Sequence, residues 1–171
     1  WSSSIGLRPY SIVNYESRTS TTLDGNSNVR VEQQYMGEGG LSEAYFAHGV
    51  KITEGLTIGG SASYIFGAIT KEAASSVIDE SLDAIGNEKI VYSERIRYDN
   101  FLFRAGANYR KKITDKYYLS AGSVYSFGTD LEAKRRASFE RRTLSDNVLD
   151  SNILPDSSEG SVNLPSSLRA G

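Results

Sequence analysis

Alternate residues between Leu56 and Thr70 fall into two unlike rows. One holds Leu56, Ile58, Gly60, Ala62, Tyr64, Phe66 and Ala68; the other holds Thr57, Gly59, Ser61, Ser63, Ile65 and Gly67. A period of two is the repeat of a β-strand, whose successive side chains point to opposite faces. The split recurs further on. Phe101, Phe103, Ala105, Ala107 and Tyr109 alternate with Tyr98, Asn100, Leu102, Arg104, Gly106 and Asn108. Tyr117, Leu119, Ala121, Ser123, Tyr125 and Phe127 alternate with a row of small and polar residues. Counting by two along the whole chain predicts strands at about Ile5–Thr19, Asn28–Ile52, Leu56–Ile69, Ile90–Lys111 and Tyr117–Arg141, with a sixth starting near Leu164.

The connections between these strands sort by length. Thr53–Gly55 and Lys112–Lys116 are short, whereas Ser20–Ser27, Thr70–Lys89 and Arg142–Asn163 are long. Antiparallel strands joined in this way collect the short turns at one end and the long loops at the other, an asymmetry typical of outer-membrane barrels. The aromatic positions repeat the asymmetry. Tyr64, Phe66, Phe101, Phe103, Tyr125 and Phe127 lie toward the long-loop end, and Tyr109 and Tyr117 lie near the short turns. Leu56 to Tyr64, Phe101 to Tyr109 and Tyr117 to Tyr125 have the same spacing, which spans about 20 Å along a membrane normal for strands tilted by roughly 40°. The pattern therefore predicts an all-β, antiparallel, up-and-down transmembrane β-barrel. The row of rings faces lipid as a belt, and the Gly/Ser/Asn/Arg row faces a wet interior. A soluble barrel or sandwich is the rival, but Ala, Gly and ring-end Tyr would fill its core poorly.

Composition narrows the classes. Hydrophobic residues make up only 39% of 171 positions, with 16 Gly and 11 Tyr, a mixture that favours pleated surfaces over helices. No apolar run is long enough for a membrane helix. A net charge of −2 argues against a nucleic-acid partner. The absence of cysteine removes disulfides, thiolate metal sites and thiol nucleophiles. Five or six strands are too few to close a membrane barrel, and open edges in lipid leave backbone groups unpaired. Residues 1–171 are therefore expected to form part of one larger barrel domain.

The wording of the strands supports this. "IGLRPYSIVNYES", "QYMGEGGLSEAYFAHGVKITEGLTIGGSASYIFGAIT", "FLFRAGANYRKKITDKYYLSAGSVYSFGTDL" and "NLPSSLRAG" together resemble the FadL family of outer-membrane transporters for long-chain fatty acids and other hydrophobic compounds. That resemblance implies a barrel of about fourteen strands, inside the known range of outer-membrane barrels, plugged by an N-terminal hatch. The hatch and the later strands would lie outside this chain. It also implies passive passage of a hydrophobic substrate from the external mouth toward a lateral opening, in the outer membrane of a Gram-negative bacterium, without a cofactor.

Several positions then carry candidate chemistry. Gly37, Gly39 and Gly40 interrupt the second strand, as a wall kink that opens a path or as a simple bend. The segment from about Glu72 to Ile85 has Ala74, Val77, Ile78, Leu82 and Ile85 at helical spacing, followed by Gly86. It is expected to form a helix whose apolar stripe lands an acyl chain or packs on a neighbouring loop. Arg104, flanked by Asn100 and Asn108, projects inward to meet a carboxylate head group or a wall residue, with Asp130 and Glu132 expected on the matching face of the next strand. Arg135, Arg136, Arg141 and Arg142 offer contacts to lipopolysaccharide phosphates, or else decorate a solvated strand extension. His48, the only histidine, would be needed by a Ser-His-Asp hydrolase, but no G-x-S-x-G elbow accompanies it. No ligand cluster for zinc or calcium is evident. Two readings other than transport therefore stay open: an outer-membrane lipid hydrolase using His48, and a structural or scaffolding barrel that carries nothing. Membrane lipids and a hydrophobic small molecule are the expected partners; the oligomeric state is not encoded.

Overall fold

A computed structural model describes residues 1–23, 26–79, 88–114, 117–155 and 158–171. All regular structure among them is β-strand, in one antiparallel sheet of nine strands. The strands are β1 (Ser2–Leu23), β2 (Asn26–Lys51), β3 (Leu56–Asp79), β4 (Glu88–Lys112), β5 (Tyr118–Ser126), β6 (Thr129–Thr143), β7 (Val148–Ile153), β8 (Ser158–Leu164) and β9 (Ser167–Ala170). β1 to β4 pair in sequence order. β4 then divides its ladder, with Arg104–Lys112 on β5 and Glu88–Asp99 on β6. β7 and β8 continue along β6, and β9 along β5. The nine pieces thus follow six long paths, with β5–β6 and β7–β9 each broken along their length. The sheet is open among the described residues: it is an all-β antiparallel sheet and not by itself a closed barrel. No helix is long and apolar enough to cross a membrane among the described residues.

The strands are longer than the alternation predicted, and the long loops shrink accordingly. β2 alone has 26 residues, roughly 85 Å of extended chain. A membrane strand needs only about 9–11 residues. The segment expected to be a helix is the clearest correction. Residues up to Asp79 belong to β3, paired on both sides: Val77 with Val31 of β2, and Ser75 with both Gln33 of β2 and Ile90 of β4. Local spacing favoured a helix, but two neighbouring ladders satisfy the same backbone groups, and tertiary pairing overrides propensity. Val77 and Ile78 are adjacent in a strand and face opposite sides, so they share no apolar stripe. Leu82 and Ile85 lie outside the described residues.

A line of irregularities crosses the sheet. In β1 it is a bulge at Tyr10, where the register with β2 shifts between Pro9 and Ser11. In β2 it is Gly39–Gly40, and in β3 it is Gly67. Gly39 has φ 116° and Gly67 has φ 156°, both in the region that side chains avoid. A Cβ on Gly39 would overlap the Ala68 carbonyl oxygen, and one on Gly67 would overlap that of Gly40. Beyond β4 the line continues as the breaks at Phe127–Gly128 and Pro165–Ser166, bridged at one point by Phe127 N–H donating to the Phe103 carbonyl at 3.0 Å. Gly37, Gly39 and Gly40 therefore do not interrupt β2, which stays paired through all of them. They let the sheet change curvature while its hydrogen bonds persist.

That change of curvature decides burial. On the turn-end side of the line, toward residues 52–55 and 113–117, the sheet encloses the row with Leu41, Ile65 and Leu102. These pack with Leu131, flanked by Tyr98 and Leu164, and Ile65 is wholly buried. On the far side the opposite row is the enclosed one, with Ser76, Lys89 and Val91 buried. The break at Phe127–Gly128 also reverses the alternation of the fifth path. Leu131 takes the inner position, and Asp130 and Glu132 are exposed, Glu132 lying opposite Asp99 on the other face. They do not share a face with Arg104.

Substituting Gly67 or Gly39 by Ala is expected to destabilise the fold by about 1–3 kcal/mol at each site, from backbone strain plus overlap with a paired carbonyl. Gly160→Ala, where a Cβ meets nothing within 4 Å, is expected to change little. Urea midpoints of the purified protein in detergent check this order.

Candidate functional site

The row of rings expected to face outward does so. Phe66, Phe103 and Phe127 are 39%, 53% and 47% exposed, on the face away from the Leu41–Ile65–Leu102 core. Register brings the rings together. Tyr64 lies opposite Phe101, with ring centroids 5.1 Å apart, and stacks on Phe66 at 5.8 Å. Phe101 and Phe103 are 6.5 Å apart, and Tyr125 meets Phe127 edge-on at 4.9 Å. Nearer the turns, Tyr109 faces Leu56 on β3 and Ala121 on β5, and Tyr117 is exposed beside the 113–117 turn. Ala62, Ala105 and Ala121 occupy the space between the two sets of rings. The belt sits part-way along the strands: past Phe66 the same row runs on as Ala68, Thr70 and Glu72, and beyond Phe101 it runs on as Asp99, Arg97 and Arg95. One face therefore changes from rings to charges at the glycine line.

The inner face of the turn-end half carries a buried ion group that the sequence reading passed over. Glu43 is 1% exposed. Arg8 Nε donates to its Oε2 at 2.9 Å, and Arg104 Nη1 donates to its Oε1 at 2.5 Å and to Ser63 Oγ at 3.2 Å. β1, β2, β3 and β4 each supply one member. Arg104 is thus committed to a wall carboxylate. Only pairing could reveal this, since Arg8, Glu43 and Arg104 have no sequence spacing in common.

Above the line a second network forms. Arg142 holds Glu72 with both terminal nitrogens, at 2.9 and 3.3 Å, and Glu140 through Nε at 2.8 Å. Lys89 Nζ lies 2.6 Å from Asp146 Oδ1. Hydrogen bonding to Glu72, against the opposing effect of burial, raises the Arg142 pKa further above its ordinary value. The hydrogen bond from Lys89, helped by Arg142, holds the Asp146 carboxyl below the usual 3.8. Asp146 also takes φ 66° in the turn between β6 and β7, a conformation Asp tolerates better than most residues. Arg135 is bound to Glu94 and to the Tyr92 hydroxyl, and Arg141 to Glu88. The phosphate-binding reading thus loses three of its four arginines to carboxylates; Arg136 is exposed.

His48 lies on the outer face beside the turn, as expected from its register. Its Nδ1 is 2.8 Å from Ser3 Oγ, and its ring stacks on Trp1 at 6.5 Å. The serine comes from the paired strand, so sequence proximity gave no sign of it. No carboxylate contacts His48 among the described residues, and none of their His, Asp and Glu side chains group to hold a metal.

Comparison with known proteins gives one result of substance. The BamG family model matches residues 1–171, the whole chain. No curated protein and no solved structure matches it. The whole-chain match overturns the resemblance to FadL transporters. Fatty-acid transport falls with it.

Two outcomes follow from the networks. Glu43→Ala strands the Arg104 guanidinium in a largely enclosed site and is expected to cost on the order of 3 kcal/mol, read from the urea midpoint. Asp146, depressed in the folded state, stabilises the β6–β7 turn above pH 3.8 and ceases to do so as pH falls through its lowered pKa. Hydrogen exchange of residues 143–147 should therefore quicken relative to the rest of the sheet below that pH in the natural protein. In Asp146→Asn it should already be fast at neutral pH.

Proposed function

Because the chain belongs to the BamG family, whose name ties it to the Bam machinery of outer-membrane protein assembly, we propose that it is a structural, non-catalytic component of that machinery at the outer membrane. Its turn-end half sits against lipid as β-sheet wall, with the row of Phe66, Phe103 and Phe127 toward the acyl chains. Its far half stands clear of the bilayer and presents a charged surface to other members of the assembly. The observation that carries this reading is the change along one continuous face, from the ring belt to the exposed Arg95, Arg97 and Arg136 past the glycine line. An apolar band edged by rings fits a bilayer, and the arginines beyond it do not. The distance between Leu56 and Phe66, about 33 Å along the strand, is also the length a tilted membrane strand requires. The extra length of each strand then becomes a surface held outside the membrane on a rigid ladder.

A scaffolding role needs no turnover chemistry, which accords with networks that pair their charges internally. The Ser3–His48 contact supports the hydrolase reading less well, since no acid among the described residues orients the imidazole.

Two measurements test the proposal. Depleting the protein in its own bacterium should lower the folded, heat-modifiable fraction of other outer-membrane proteins several-fold; an unchanged fraction would refute the assembly role. For the membrane seating, Ala105→Arg, between the two sets of rings, should cost about 2–4 kcal/mol in lipid. Asn14→Arg, beyond the line, should cost less than about 0.5 kcal/mol. Equal effects at the two positions would place the belt outside the bilayer.

A further inference from the structure

The inner face of the turn-end half has a charge balance quite unlike that of the whole chain. The chain carries 19 Lys and Arg against 21 Asp and Glu. On this face the strand registers align Arg8, Lys51, Arg104, Arg110 and Arg169, with Lys112 at the strand end, against Glu43 alone among the described residues. Glu54 lies in the turn beyond it. Glu43 is already shared by Arg8 and Arg104. Among the described residues Lys51, Arg110 and Arg169 are exposed and face no acid on this surface; Arg110 lies over the Tyr118 ring at 4.7 Å.

The same face is hollow. The floor is made of small residues, with Gly49, Gly59, Ser61, Gly106 and Gly122 on four adjacent strands. Curvature brings Ser2 and Ser4 of β1 and Arg169 of β9, from the two edges of the sheet, onto one trough of about 650 Å³. The trough has a glycine floor and Arg104 and Arg169 in its lining, with Lys51 and Arg110 on the same face two residues beyond it toward the turns, and it admits the backbone of another chain at close range. Its walls supply both hydrogen-bonding hydroxyls and positive charge.

We infer that this trough docks an acidic polypeptide segment of a partner protein. Three features favour a polypeptide over an anionic lipid. The cations are spread along the face, Arg104 and Arg169 in the trough and Arg110 beyond its turn-ward end, with Arg104 and Arg110 about 20 Å apart along β4, further than one head group bridges. Ser2, Ser4, Ser61 and Asn108 line the path with groups that suit amides and do nothing for acyl chains. The trough also lies on the face opposite the ring belt, away from the surface proposed to meet lipid. The inference rests on the concave geometry and the charge count, and in its third feature on the proposed seating of the ring belt against lipid.

The test uses the full-length natural protein in detergent and a fluorescent peptide of alternating Glu and Ser, roughly twelve residues or about 40 Å extended. Binding is read by anisotropy. The peptide should bind, and a matching Lys-Ser peptide should not. A triple variant, Lys51→Gln, Arg110→Gln and Arg169→Gln, should weaken binding at least tenfold, and raising the ionic strength from about 0.05 to about 0.5 M should weaken it likewise. A control variant, Arg18→Gln, Lys71→Gln and Lys134→Gln, makes the same change of charge in the far half, away from the trough, and should bind as the natural protein does. Heat-modifiability of each variant reports that the fold is kept. The inference is overturned if the acidic peptide does not bind, if both triple variants lose binding equally, or if vesicles of phosphatidylglycerol compete for the trough better than the peptide does.

Discussion

Among the described residues this sheet has no second layer, and that constraint shapes the rest of the molecule. In a sandwich or an α/β domain, burial comes from the facing layer. Here a side chain is enclosed only where the sheet curls around it. Ile65 and Glu43 are nearly inaccessible because neighbouring strands bend toward them, and Phe103, on the strand next to Ile65, stays half exposed because it sits on the convex side. Curvature therefore does the work of a core, and whatever permits curvature controls stability. The glycine line is that device. At Gly39 and Gly67 the backbone takes conformations closed to other residues without giving up a single rung of the β2–β3 ladder.

The line also organises function. Below it the outer face is apolar and ringed, and the inner face is small, hollow and cationic. Above it the enclosed face carries carboxylates and guanidiniums that satisfy one another. Because strand alternation is unbroken through β3, the same row passes from rings to charges with no loop between them. A rigid ladder that is apolar at one level and polar at the next suits a molecule held at a membrane boundary. It is a poor design for moving a hydrophobic solute, which needs a continuous greasy path.

The buried ion group shows how a single-layer sheet handles charge. Arg8, Glu43, Ser63 and Arg104 come from four successive strands, so their hydrogen bonds tie β1 to β4 across the inner face. Such a group adds little net stability when intact, because desolvation offsets attraction, yet removing one member leaves a charge without its partner. Its value lies in holding register: a slip by one residue in any of the four strands would turn a member to the opposite face.

Period two along the chain determined the strands, their order and the outward direction of the ring belt, because alternation in a half-exposed strand is a local property that side-chain polarity records directly. Five of the six long paths were legible in this way, as was the placement of His48 beside a turn; of the sixth only the end near Leu164 was, the stretch before it reading as a loop. Tertiary pairing decided what local spacing cannot hold. Residues 72–79 carry helical periodicity and lie in β3, because two ladders compete for their backbone and win. Asp130 and Glu132 face away from Arg104, because a break at Phe127–Gly128 reverses the alternation that counting by two assumes. The Glu43 group, the Ser3–His48 contact and the cationic trough join residues far apart in the chain, and register with a neighbouring strand is the only thing that brings them together.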